Sequence, residues 1–188
     1  MKTKYDVTVL ICVHSTNYDH DFLLVKSLKS LENQTYKNFK TLLVLDECWE
    51  NTKKIVTHTN FDLDIEIQEK NKKSGLGDAK NFGLLFVETD LVAFLDADDL
   101  YCQDKLEKQL EFINNNDVDF LGTQSWNNTK NNEHELIESC FSLGTNDDLI
   151  FFLSNLLKRK KSFSVVIKER FSFFAFIFIL FISLLGIL

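Results

Sequence analysis

Apolar residues recur along the first 125 positions with the short period of strands and the longer period of helices. Val7 to Val13 is an apolar run rich in β-branched residues, which predicts a strand buried on both faces. Phe39 to Leu45 and Leu91 to Leu95 predict two further buried strands. Asp62 to Gln68 alternates between apolar and polar positions, as a half-exposed edge strand does, and Val118 to Leu121 predicts a strand after it.

Helical spacing separates these strands. Leu24, Leu28 and Leu31 lie on one face of a helix predicted over Asp21 to Leu31, and similar patterns predict helices around Ile55 and Val56, over Gly77 to Val87 and over Leu106 to Ile113. Strands that alternate with helices form βαβ units. The expected fold class is therefore α/β, with a mostly parallel sheet flanked by helices.

The character of the chain changes after residue 125. Ser125 to Asn146 is polar and rich in asparagine, which predicts little regular structure. A basic cluster at residues 158–161 follows, and Phe171 to Leu188 is a run of 18 residues without a charge. The expected organisation is an α/β domain at 1–125, a polar irregular or helical segment at 126–160, and a hydrophobic segment at 163–188.

The hydrophobic run predicts a C-terminal helix. Eighteen residues rising 1.5 Å each span about 27 Å, close to the hydrocarbon thickness of a bilayer. One interpretation is a membrane anchor, with the preceding basic residues on the cytoplasmic side. The alternatives are an interfacial or buried segment, or a truncated or frame-shifted ending.

Composition narrows the classes of function. The formal net charge of -7 argues against a protein that coats nucleic acid, which needs a basic face to neutralise phosphates. The four cysteines lie far apart without a C-x-x-C pair, so a disulfide framework or a zinc site is not expected.

Three aspartates carry the candidate chemistry. Asp46 directly follows one predicted strand and Asp96 directly follows another. Since ligands of α/β sheets bind beyond the carboxyl ends of the strands, these two acids predict a site at that edge. Asp98 follows Asp96 at the spacing with which two carboxylates converge on one hard cation, and such a cation neutralises a diphosphate leaving group.

A calcium loop is the competing interpretation of this segment. Asp96, Asp98, Asp104 and Glu107 fall at positions 1, 3, 9 and 12 of such a loop. Positions 5 and 6, however, are leucine and tyrosine where an oxygen ligand and glycine are required, and a strand precedes the segment instead of a helix.

Five segments in order resemble the family 2 glycosyltransferases of the GT-A fold. They are Val9 to Ile11, Ser27 to Tyr36 (SLKSLENQTY), Leu43 to Asp46, Gly75 to Gly83 (GLGDAKNFG) and Phe94 to Asp99 (FLDADD). The resemblance implies that residues 1–125 form a GT-A-like nucleotide-sugar-binding domain that uses UDP-sugars or related donors with manganese or magnesium.

The resemblance also implies roles for single residues. Asp46 would contact the base, Asp96 the ribose and Asp98 the metal, while Lys80 and Asn81 match family positions near the donor. The structural alternatives are that Asp46 caps a helix and that Lys80 is a solvated helix residue.

The chain departs from the family pattern in three places. Cys12-Val13-His14 lacks the usual proline after the first strand, and Glu47-Cys48-Trp49-Glu50 replaces the usual small polar turn after Asp46. His14 is a candidate nucleotide contact or a structural histidine. No motif identifies the acidic general base that an inverting transfer needs, and nothing in their context marks Asp147 or Asp148 for it.

The expected function is metal-assisted transfer of a sugar from a nucleotide-diphosphate donor, a UDP-sugar above all, to a hydroxyl acceptor on a glycan or a lipid-linked glycan. The alternatives are a catalytically incomplete donor-binding module and a membrane-associated protein on a vestigial GT-A fold. A nucleotidyltransferase is disfavoured because no glycine-rich phosphate loop with a basic residue lies near the N-terminus. The expected location is cytoplasmic, anchored to the cytoplasmic face of a membrane.

Overall fold

A computed structural model describes residues 4–72, 75–116, 120–123, 125–128, 134–137, 141–143 and 165–168. Nine strands and four helices lie within these ranges. The strands are β1 (Val7–Val13), β2 (Phe39–Asp46), β3 (Ile65–Lys70), β4 (Leu91–Phe94), β5 (Phe120–Gly122), β6 (Ser125–Asn128), β7 (His134–Ile137), β8 (Phe141–Leu143) and β9 (Val165–Lys168). The helices are α1 (Tyr18–Glu32), α2 (Glu50–His58), α3 (Leu76–Leu84) and α4 (Lys105–Asn115).

Seven of these strands form one mixed sheet in the order β3-β2-β1-β4-β9-β5-β8. β1 pairs in parallel with β2 on one side and β4 on the other, and β3 is parallel to β2. β9 is antiparallel to both of its neighbours, β4 and β5. The sequence-based expectation of a mostly parallel α/β sheet flanked by helices is confirmed for the β1–β4 part.

The central strand β1 is buried on both faces. Val9, Ile11 and Val13 belong to one apolar cluster with residues of α1, α2 and α4, whereas Leu10 and Cys12 belong to a second cluster beneath α3. Alternate side chains of a strand point to opposite faces, so a strand with helices on both sides is apolar at successive positions. This placement accounts for the unbroken run that predicted β1.

Helix α1 begins three residues before the predicted start at Asp21. Asn17 adopts an extended backbone and its side chain accepts a hydrogen bond from the backbone N–H of His20 at 2.9 Å. This is an N-cap, which satisfies one of the donors left free in the first helical turn. The cap adds a polar first turn that the apolar spacing did not contain.

The sheet continues beyond residue 125. β8 pairs with β5, and β9 lies between β4 and β5, so Val165–Lys168 are part of the sheet although they fall within the predicted hydrophobic segment. β6 and β7 form a separate antiparallel pair, which differs from the irregular segment that the polar composition predicts. The pairing of β6 with β7 satisfies backbone hydrogen-bonding groups of both strands, although no apolar pattern in their sequences predicts it.

The predicted C-terminal helix concerns residues 171–188, which lie outside the described residues. Of the helices within the described ranges, none is both long and apolar enough to cross a membrane.

Helix α3 packs unusually close to the sheet at Gly83. A methyl group built on Gly83 would lie 2.6 Å from Cδ1 of Leu10 and 2.9 Å from Cγ2 of Val44. Both of those side chains are fully buried and have little room to move. The glycine therefore sets the distance between α3 and the β1–β2 part of the sheet.

Replacing Gly83 with valine is expected to lower the free energy of unfolding by about 2 kcal/mol or more, since overpacking a filled core costs about 1–3 kcal/mol and valine adds more than one methyl group. Urea denaturation measures the change. The control is Glu111→Val, which places the same side chain on an exposed position of α4 and should cost less than about 1 kcal/mol. Equal losses in the two variants would show that the close approach of α3 is not a packing constraint.

Candidate functional site

Asp46 is the last residue of β2 and is only 3% exposed. The residue after it, Glu47, has a φ of 52°, and its N–H donates to the backbone oxygen of Lys70 at the end of β3. A left-handed residue at this point turns the chain sharply out of the sheet. Helix α2 begins at Glu50 with Trp49 as its N-cap, so the interpretation of Asp46 as a helix cap is wrong.

Asp96 follows β4 by two residues at the same edge of the sheet. Leu95 extends the pairing, since its N–H donates to the backbone oxygen of Leu10. β1 lies between β2 and β4, so two strand spacings, about 10 Å, separate the strands that precede the two aspartates. The structure therefore places both predicted acids on the carboxyl edge, one on each side of the central strand.

Lys80 of α3 contacts Asp96 on the face of the sheet that α3 covers. Its Nζ lies 3.0 Å from Oδ1 of Asp96, and the two side chains are 26% and 27% exposed. The same Nζ lies 5.6 Å from the centre of the Phe94 ring. Lys80 is thus a partly buried cation fixed against a carboxylate, not a solvated helix residue. Asn81 follows it on α3 and is half-buried.

Asp98 lies in a turn directly after Asp96. The N–H of Asp99 donates to the backbone oxygen of Asp96 at 3.0 Å, which closes the turn, and Ser27 Oγ contacts the same oxygen at 3.4 Å. Asp98 is exposed, and Ala97 packs against the core. The alternation of inward and outward residues fixes the turn while presenting the Asp98 carboxylate to solvent.

Two further groups lie close to the aspartates. His14, just after β1, makes a 2.7 Å hydrogen bond through Nδ1 to the backbone oxygen of Asp46. Cys12 is buried, and this burial raises the pKa of its thiol to about 12. The thiol therefore stays protonated at neutral pH and offers no thiolate nucleophile.

The acidic turn suits a cation that the substrate helps to bind. Among the described residues, no group of three histidine, cysteine, aspartate or glutamate side chains is arranged to hold a metal. Mg²⁺ in nucleotide sites usually takes one or two carboxylates and completes its coordination with phosphate oxygens and water. An exposed Asp98 beside Asp96 matches that donor set.

The structure joins some of the predicted residues and adds others. Lys80 and Asp96 are in contact, and Asp46 and Asp98 lie at the same edge of the sheet. Ser27 was missed because a serine within an amphipathic helix carries no signal of its position under the turn. Asp21, whose partners lie up to 31 residues away, was missed for the same reason.

Comparison with curated proteins gives relatives that are themselves glycosyltransferases. The chain is 33% identical over 99 residues to an uncharacterized glycosyltransferase of Rickettsia bellii, covering 53% of this chain and 14% of that protein. It is 28% identical over 112 residues to the UDP-Glc:alpha-D-GlcNAc-diphosphoundecaprenol beta-1,3-glucosyltransferase WfgD of Escherichia coli, covering 60% and 44%. The chain thus spans less than half the length of either relative.

Solved structures share the fold. S. aureus TarS 1-349 in complex with UDP-GlcNAc superposes with a TM-score of 0.55 at 24% identity, covering 64% of this chain and 33% of that one. The mannosyltransferase PcManGT of Pyrobaculum calidifontis, in complex with GDP-Man and Mn2+, gives a TM-score of 0.55 at 21% identity, covering 63% and 35%.

The family assignment rests on most of the chain. The family model described as Glycosyl transferase family 2 matches residues 9–181, a range that includes β1 to β9 apart from the first two residues of β1. It contains both edge aspartates, Lys80 and the acidic turn. The chain therefore belongs to glycosyl transferase family 2.

Proposed function

We propose that this chain transfers a sugar from a nucleotide-diphosphate donor, a UDP-sugar above all, to a hydroxyl acceptor with the help of a divalent cation. The observation that carries the proposal is the carboxyl edge of the sheet. There Asp46 and Asp96 flank β1, Lys80 pairs with Asp96, and Asp98 stands exposed in the adjoining turn. Relatives and fold neighbours that act on or bind UDP-Glc, UDP-GlcNAc and GDP-Man support the donor class.

Each residue has a role in this proposal that its position allows. Asp46, buried at the end of β2, accepts a hydrogen bond from the base, and Asp96 accepts one from a ribose hydroxyl. Lys80 bonds to Oδ1 of Asp96 and compensates its charge, and Oδ2 is the oxygen that would accept from the ribose hydroxyl. Asn81, the next residue on α3, adds an amide near the donor.

A divalent cation, manganese or magnesium, would be held by Asp98 and by the diphosphate oxygens. Bound there, it would act as a Lewis acid that stabilises the negative charge developing on the leaving nucleoside diphosphate. The chain's own residues hold the nucleotide so that the anomeric carbon faces the acceptor hydroxyl. Positioning of this kind contributes a large part of the acceleration in reactions between two bound partners.

The acceptor and the location belong to the same proposal. We place the chain on the cytoplasmic face of a membrane, acting on a glycan or a lipid-linked glycan. The support is the uncharged run at 171–188 after the basic cluster at 158–161, together with the diphosphoundecaprenol-linked acceptor named for the Escherichia coli relative.

Asp98→Ala is expected to weaken manganese-dependent UDP binding at least tenfold, about 1.4 kcal/mol, because it removes the exposed carboxylate that holds the cation. Calorimetric titration of the full chain with UDP, with and without manganese, measures the loss. The control is Asp90→Ala. Asp90 is exposed and directly precedes β4, whereas Asp98 follows that strand, so the loss of Asp90 should leave binding unchanged.

Following donor hydrolysis in the same titrations separates the alternatives. Binding with turnover supports a working transferase, and binding without turnover indicates a catalytically incomplete donor-binding module. If the unchanged chain binds neither UDP nor GDP at any metal concentration, the donor-site proposal is wrong and only the fold is shared.

Lys80→Met keeps the length of the side chain and removes its charge. We expect UDP affinity to fall about tenfold, because the unpaired Asp96 carboxylate then repels the diphosphate and competes for the cation. Titration with UDP and manganese measures this, against Lys29→Met on the exposed face of α1. Unchanged affinity in Lys80→Met would restrict Lys80 to a structural contact with Asp96.

A further inference from the structure

A buried carboxylate lies beneath the loops that surround Asp46. Asp21 is in the first turn of α1 and is only 1% exposed. Helix α1 follows β1, so its first turn lies at the carboxyl edge of the sheet, near the start of α2. Asp21 is not one of the residues proposed to touch the donor.

Four side chains donate hydrogen bonds to this carboxylate. Oδ1 accepts from Ser15 Oγ at 2.7 Å and Thr52 Oγ1 at 2.6 Å. Oδ2 accepts from Trp49 Nε1 and Asn51 Nδ2, each at 2.9 Å. Both oxygens therefore have two donors, and bonds to a charged acceptor are stronger than bonds between neutral groups.

The donors come from two separate segments. Ser15 belongs to the loop between β1 and α1, whereas Trp49 caps α2 and Asn51 and Thr52 lie in its first turn. The backbone joins the same segments, since the N–H of Trp49 donates to the oxygen of Ser15 at 3.0 Å. Asp21 is thus the common acceptor of the segment that follows β1 and the segment that follows Asp46.

The charge of Asp21 is compensated by these bonds. Burial on its own would raise the pKa of the carboxyl, but the hydrogen bonds from Thr52, Ser15, Asn51 and Trp49 outweigh it and hold the pKa below its ordinary value. Asp21 is therefore an anion at neutral pH. A buried anion satisfied by four neutral donors gives a rigid arrangement, because each lost bond leaves a charge poorly solvated.

We infer that Asp21 is a positioning residue for the donor nucleotide, acting through the segment Glu47–Thr52 and the His14–Ser15 loop. This inference rests on the proposed function, in which Asp46 receives the base. The Asp21 carboxylate fixes the path of the chain where it leaves β2, through its bonds to Trp49, Asn51 and Thr52. The backbone of Asp46, to which His14 is bonded, then keeps one position whether or not nucleotide is present.

The hydroxyl groups of Ser15 and Thr52 can accept hydrogen bonds as well as donate them, and this determines which variants of Asp21 keep its contacts. In Asp21→Asn, the amide oxygen can face Trp49 and Asn51, while the amide NH₂ donates to the hydroxyl oxygens of Ser15 and Thr52. All four contacts survive in neutral form. In Asp21→Ala, none does. Asparagine is therefore the conservative variant that should restore function, and alanine the disruptive one.

Backbone hydrogen exchange and UDP affinity of the full chain test the inference together. In Asp21→Ala, exchange over residues 47–52 is expected to accelerate at least tenfold without nucleotide, and UDP affinity in manganese to fall about tenfold. Asp21→Asn should lie within about threefold of the unchanged chain in both measurements. Asp19→Asn, an exposed acid in the same helical turn, is the control for charge.

A second control separates local positioning from general destabilisation. Thr8→Val breaks the buried hydrogen bond between Thr8 and Thr89, at the opposite edge of the sheet. It is compared with Asp21→Ala at the same folded fraction. If both variants lose affinity equally, or if exchange over 47–52 is unchanged in Asp21→Ala, the inference is wrong.

The two readouts also distinguish this inference from the proposed function. Failure of the unchanged chain to bind any nucleotide overturns the proposed function, and with it the link from Asp21 to a donor. Normal UDP binding by Asp21→Ala, with faster exchange over 47–52, overturns only the positioning role and leaves the donor site in place.

Discussion

The site depends on one constraint, the complete burial of β1 between two parallel neighbours and two layers of helices. Val9 and Ile11 face the α1 side and Leu10 faces α3, so the strand can neither shift register nor tilt without exposing apolar surface to water. Since β2 and β4 are both registered against β1, the ends of all three strands are fixed together. Asp46 and Asp96 inherit their separation from that register.

Helix α3 extends the same packing constraint to the Lys80 ammonium group. Gly83 and the buried Ala79 bring the helix onto Leu10 and Val44, and Lys80 projects from the next position along the helix. A longer distance between helix and sheet would move its Nζ away from Asp96, to which it is bonded at 3.0 Å. The small residues Ala79 and Gly83 of the GLGDAKNFG segment are thus required for close packing of α3 on the sheet, whether or not a ligand is bound.

Sequence patterns anticipated the part of the fold that is governed by burial. The apolar runs gave β1, β2 and β4 within one residue at either end, because strands covered on both faces have no polar positions to blur their limits. The placement of Asp46 and Asp96 on one edge followed from the rule that ligands of parallel sheets bind beyond the carboxyl ends of the strands. The contact between Lys80 and Asp96 did not follow, because it depends on how closely a helix packs.

Polar structure was the harder part to anticipate. β6 and β7 contain too few apolar residues to show a period of two, so their pairing left no trace in the pattern. The four donors around Asp21 are 6 to 31 residues from it, and short-range spacing contains no information about such contacts. The start of α1 was missed because the polar residue Asn17 caps the helix ahead of its first apolar position. The apolar spacing used for the prediction does not include that turn.

The charge at the carboxyl edge explains why a cation belongs in the proposed reaction. Lys70 is paired with Asp78 and Lys80 with Asp96, so the nearby lysines are already engaged with carboxylates. Asp98 adds an exposed negative charge, on a chain whose formal net charge is -7. A diphosphate brought to this edge alone would be repelled, by about 1 kcal/mol for each pair of charges 4 Å apart even in bulk water. A divalent cation between Asp98 and the phosphates reverses the sign of that interaction. In the proposed reaction, an acidic edge in an acidic protein would therefore bind an anionic donor together with its metal.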